Sequence, residues 1–127
     1  MTQSIETALL YNLQDSDSGR KLKMILLKMK IRIRKIEPSQ YLRPVGALAG
    51  IRGLADTDEI YSGELFTEPM LLLRGFTDSR LDLLLASMRK DGIQIPLKAV
   101  LTSENQTWNS LALYEELKKE HEALHNL

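Results

Sequence analysis

Pro69-Met70-Leu71-Leu72-Leu73-Arg74-Gly75-Phe76 is the stretch on which the fold turns. Four large apolar residues run together without the polar alternation of a half-exposed strand, and a glycine follows them. A short apolar run bounded by proline and glycine predicts a strand covered on both faces. Next, Thr77 or Asp78 offers a capping side chain for a helix reaching Asp91. Leu81, Leu84, Leu85 and Met88 fall on one face of that helix, and Gly92 is a C-terminal stop. Ile93 to Thr102 reads as the following strand, and Pro96 and Lys98 place it at an edge. A last helix, capped by Thr107 and running to about His125, carries Leu113, Tyr114, Leu117, His121 and Leu124 on one face.

Working back towards the N-terminus, Ala8-Leu9-Leu10-Tyr11-Asn12-Leu13 reads as a second buried strand, and the turn Gln14-Asp15-Ser16-Asp17-Ser18-Gly19 follows it. A helix from about Asp17 to Met29 gathers Leu22, Ile25, Leu26 and Met29 on its core face. Ile31-Arg32-Ile33-Arg34 alternates with period two, the pattern of an edge strand. The halves resemble each other: Leu10 to Ser16 aligns with Leu73 to Ser79, and Lys30 to Ile33 aligns with Gly92 to Ile95 after one gap. The chain therefore reads as a single domain, 1–127, of two βαβ-like halves at about 5–38 and 69–127. A glycine-rich and then acidic segment, 39–68, joins them.

The expected fold class is α/β, a three-layer parallel sheet of about four strands in the order 2-1-3-4 with helices on both faces. The alternative is a ferredoxin-like βαββαβ arrangement plus a C-terminal helix. Both put the two apolar strands at the centre.

Composition narrows the function classes. Of 127 residues, 43% are hydrophobic, enough for a core without staples, and there is no cysteine for disulfide or thiolate chemistry. Met1 to Glu6 lacks the basic start and apolar run of a signal peptide, and no apolar stretch approaches a bilayer span. The expectation is a cytoplasmic protein without a membrane partner. Net charge is zero but unevenly spread: eight Lys or Arg and no acid lie between Arg20 and Lys35, and five acids and no base between Ala55 and Glu68. The basic set Arg20, Lys21, Lys23, Lys28, Arg32 and Arg34 lacks interleaved aromatics, so nucleic acid is not the expected partner. A solvated face is its commoner role.

In a parallel sheet the loops after the strands open on one rim, where ligands bind. On that expectation Asp15, Asp78, Thr102, Asn105 and Trp108 are the candidate ligand-binding residues, with helix capping as their ordinary role. No catalytic or metal-binding residue is nominated, and no cofactor is expected. Gly46 to Gly53 has neither the dinucleotide nor the P-loop spacing and reads as a closely packed turn. His121-Glu122-Ala123-Leu124-His125 matches the zincin pattern. It lies too near the C-terminus for a third downstream ligand, and a helix end is the reading preferred. A small binding or regulatory module without catalytic activity is the expected function. Its partner would be a small ligand, a protein or a second copy of the chain. The alternative is a phosphate- or nucleotide-binding protein, or a small enzyme, using the same rim.

Met70 to Phe76, Leu97 to Thr102, Asn105, Trp108 and Leu113 to Leu117 together resemble an uncharacterised bacterial family, domain of unknown function 3783. Thr102, Asn105 and Trp108 form its most specific piece. The resemblance covers about Met70 to Glu122. It implies a stand-alone cytoplasmic protein and supplies no activity.

Overall fold

The computed structural model describes residues 6–14 and 16–125. Strand β1 (Thr7–Tyr11) leads into helix α1 (Asp17–Lys28) and strand β2 (Arg32–Lys35). A 3-10 turn (Pro38–Gln40) and the short helix α2 (Val45–Leu48) follow. Strand β3 (Met70–Arg74), helix α3 (Asp78–Lys90) and strand β4 (Leu97–Val100) form a second unit. A 3-10 turn (Asn105–Thr107) then enters helix α4 (Ser110–His125).

The sheet order is β2-β1-β3-β4, as expected, with the apolar strands central. It is mixed rather than wholly parallel. β1 pairs β2 in parallel and β3 pairs β4 in parallel, but β1 and β3 run antiparallel, with Leu9 opposite Leu72 and Tyr11 opposite Met70. The parallel β1–β2 neighbours also exclude the ferredoxin-like alternative. The long segment after β2 lets the chain enter β3 from the opposite end, which a helical crossover would not do. Leu9 and Leu72 correspond in the alignment of the two halves and face each other in the register. An approximate two-fold axis therefore passes between them.

Alternation along the strands feeds two cores. Ala8, Leu10, Leu71 and Leu73 pack with Leu22, Ile25 and Leu26 of α1 and with Leu84 and Met88 of α3. Leu9, Tyr11, Met70 and Leu72 pack with Val45 and Leu48 of α2 and with Leu113, Tyr114 and Leu117 of α4. The joining segment contributes Tyr41 and Phe66 to that second core. The acidic stretch from Ala55 to Glu68 is thus anchored by the buried Phe66 ring.

Helix ends show where residue-level reading held and where it slipped. Ser16 caps α1 by accepting from Gly19 N–H, and Thr77 caps α3 by accepting from Arg80 N–H. Asp15-Ser16 and Asp78-Ser79 are therefore not equivalent, because the second loop reaches its cap sooner. Thr107 does not cap α4; the Asn109 side chain does, accepting from Ala112 N–H at 2.9 Å. Thr107 is held in the preceding 3-10 turn instead.

Both long helices of the paired units end the same way. Ile31 N–H donates to Leu26 C=O and Ile93 N–H to Met88 C=O, each across a residue at positive φ: Lys30 (61°) and Gly92 (71°). This is a Schellman stop, which suits glycine and strains lysine. Lys30→Gly is expected to raise stability by about 1 kcal/mol, the cost of a left-handed side-chain-bearing residue. Chemical denaturation of the variant checks the sign.

Candidate functional site

The antiparallel centre decides where loops open. Because Tyr11 lies opposite Met70 and Thr7 opposite Arg74, the loop after β1 emerges at one end of the sheet and the loop after β3 at the other. The expected single rim is therefore not formed. It is split into two half-rims, one above β1 and β2 and one above β3 and β4.

The half-rim above β3 and β4 holds four of the five candidate residues. Thr102 and Asn105 close on each other: Thr102 N–H donates to Asn105 Oδ1 at 2.8 Å, and Asn105 N–H donates to Thr102 Oγ1 at 3.0 Å. Asn105 Nδ2 donates to the Val100 carbonyl at 3.1 Å. Trp108 packs against the second core, and its carbonyl accepts from Val45 N–H at 2.7 Å. Asp78 is the exposed first residue of α3, behind its cap. The structure thus brings Thr102, Asn105 and Trp108 into one turn, with Asp78 on the same edge. Asp15 lies outside the described residues. The glycine-rich segment meets this turn: a Cβ on Gly46 would lie 2.8 Å from Gln106 C=O, so close packing is what that glycine provides.

The half-rim above β1 and β2 carries a cavity of about 200 Å³ lined by Leu10, Leu13, Gln14, Gly19, Arg20, Lys23 and Lys35. Its construction follows from the chain. The β1 residue Leu10 and the turn residue Leu13 form an apolar floor, and the first turns of α1 bring in Arg20 and, one turn later, Lys23. Lys35 closes it from the end of β2. Gly19 lets the first turn of α1 lie against the Leu13 carbonyl, where a side chain has no room. Arg20 forms an exposed ion pair with Asp17. Lys35 was absent from the basic set singled out by sequence. The only signal for it was the acid-free run from Arg20 to Lys35, which does not show which cations converge.

A larger open groove of about 500 Å³ runs past Tyr61, Phe66, Glu68, Tyr114 and Lys118. Tyr114 Oη donates to Glu68 Oε2 at 2.6 Å, and Lys118 Nζ lies 5.6 Å from the Tyr114 ring centre. That hydrogen bond is the main reason the Glu68 carboxyl is held below its usual range, while burial chiefly pushes the Tyr114 phenol up. Glu68, Tyr114 and Lys118 are thus engaged with one another. Glu6 is similarly engaged: Arg80 donates to both of its carboxylate oxygens at 2.7 and 2.8 Å and also to the Met29 carbonyl.

Among the described residues no group of three or more His, Asp or Glu is placed to hold a metal ion, and no helix is long and apolar enough to cross a membrane. His121 is half-buried on α4, and the His125 side chain falls outside the described residues.

Searches of curated proteins and of solved structures returned no match. The family model described as Domain of unknown function (DUF3783) matches residues 69–124. The match takes in β3, α3, β4 and nearly all of α4, including the turn of Thr102, Asn105 and Trp108. The first βαβ unit and its basic cavity lie outside it. The unit running from β3 into α4 is accordingly the part of the chain that is similar to the DUF3783 family model, and it joins a similarly built N-terminal unit through the β1–β3 pairing.

Proposed function

We propose that the protein is a non-catalytic binding module that takes a phosphate-bearing anion in the cavity above β1 and β2. The observation that carries this reading is the convergence of Arg20, Lys23 and Lys35 on one cavity at the start of α1. In a parallel βαβ unit, ligands sit beyond the carboxyl ends of the strands. The positive end of the helix dipole lies at that end of the unit and favours an anion. Three cations on the wall add a field of the same sign. Among the described residues, the cavity lining offers cations, an amide and an apolar floor, but no carboxylate, imidazole or hydroxyl for proton transfer. Binding is the chemistry this set supports.

Thermal shift and calorimetry with inorganic phosphate test the reading. At 100 times its dissociation constant, a ligand specific to the folded state should add about 2.7 kcal/mol of stability. Lys23→Glu combined with Lys35→Glu is expected to abolish the shift, and Asp78→Asn on the opposite edge to leave it intact. Added sodium chloride should weaken binding, since the attraction is electrostatic. No shift with phosphate, or an equal shift in the double variant, sinks the proposal.

A further inference from the structure

The outward face of α1 has a composition that the cavity does not use. Met24 is 55% exposed and Leu27 59% exposed, and both lie opposite the buried Leu22, Ile25 and Leu26. Arg20, Lys21, Lys23 and Lys28 flank these two side chains on the same helix and are all exposed. Just beyond the helix, Lys30 and Lys35 are exposed as well, whereas Arg34 reaches the other side of the sheet, beside Gly50, Ala47 and Leu48. From Arg20 to Lys35 the chain contains no acid; Asp17 pairs with Arg20, and Lys21 Nζ donates to the Asp91 carbonyl just after α3.

We propose that this face docks on an anionic phospholipid surface, with Met24 and Leu27 entering the headgroup boundary. The inference rests on the phosphate reading of the cavity, whose Arg20 and Lys23 belong to the same helix and whose ligand then becomes a headgroup phosphate. Two features favour a lipid surface over a protein. Two isolated apolar side chains are far short of the area a stable protein interface buries. They are enough for a surface helix when cations around them meet anionic lipid, because shallow apolar insertion and electrostatic attraction act together. The excess of cations over acids on this face is the complement of a negative membrane surface.

Co-sedimentation of the full chain with vesicles tests this. Vesicles of equal parts phosphatidylcholine and phosphatidylglycerol should carry the protein down at low salt, and pure phosphatidylcholine vesicles should not. Met24→Ser with Leu27→Ser, at positions already in solvent, should weaken binding roughly tenfold or more while leaving the thermal unfolding profile unchanged. Failure to sediment with anionic vesicles, equal binding to neutral ones, undiminished binding by the Ser variant, or sedimentation without vesicles each overturns the lipid surface. The two readings separate cleanly. If inorganic phosphate binds and vesicles do not, the cavity stands and the lipid surface falls. If vesicles bind and phosphate does not, the surface stands and the cavity reading falls.

Discussion

Tyr41→Ala is expected to destabilise the protein by about 4 kcal/mol, as large aromatic truncations in a packed interior do. Tyr41 belongs to neither βαβ unit and lies outside the DUF3783 match, yet it is 1% exposed. Its ring lies 5.9 Å from Tyr11, 6.0 Å from Tyr61 and 5.1 Å from Phe66, stacked on the last of these. Phe66 in turn stacks on Tyr114 of α4 at 4.0 Å. Tyr41 C=O also accepts from Ser110 N–H at the start of α4. Truncation would open a cavity among rings contributed by β1, the joining segment and α4. Tyr41→Phe keeps the ring contacts and is expected to recover most of the loss. Urea denaturation of the three proteins measures it. A loss under about 1 kcal/mol for the alanine variant, the range of a surface substitution, would show that the second core does not depend on the joining segment.

Gly19→Ala is expected to cost about 3 kcal/mol, at the upper end for overpacking a tight site. Two effects compete. Helix propensity alone favours alanine over glycine by about 1 kcal/mol inside a helix. Against it, the new Cβ would be driven into the Leu13 backbone carbonyl and sit 2.9 Å from Ser16 Oγ, the capping oxygen that accepts from Gly19 N–H. A backbone carbonyl cannot swing away as a side-chain tip can, so the turn before α1 must move. Packing wins by magnitude, and the same movement would deform the basic cavity that Gly19 lines. The paired measurement is stability by denaturation and phosphate response by thermal shift. Stabilisation by the alanine would mean that propensity, not the close approach, governs this position.

The two positions differ in how legible they were. Gly19 stood in a turn whose Asp and Ser residues marked a helix start, so a local feature was visible there. What it packs against was not, because the Leu13 carbonyl meets it only once β1 and α1 are both in place. Tyr41 sat with Leu42, Val45, Leu48, Ala49 and Ile51 in a stretch readable as a short apolar helix, a reading that Pro44, Gly46, Gly50 and Gly53 weakened. Its burial comes from a sheet face that no local pattern in that segment reports. Thr102, Asn105 and Trp108 were legible as a unit, being close in sequence and joined by short-range hydrogen bonds. Whether they share an edge with the loop after β1 was not, since that depended on strand direction.

By itself the sequence determined the elements that rest on local chemistry: two fully apolar strands, two charged edge strands, two amphipathic helices, the second with its stop at Gly92, and the strand order that central burial implies. Hydrophobic period, capping and turn residues act over a few positions, so they can be read along the chain. Tertiary structure alone decided that the two units meet antiparallel at Leu9 and Leu72. An apolar strand buried on both faces satisfies its side chains equally well beside a neighbour of either direction. That one choice sent the loops to opposite ends of the sheet and left Arg20, Lys23 and Lys35 to converge at one of them.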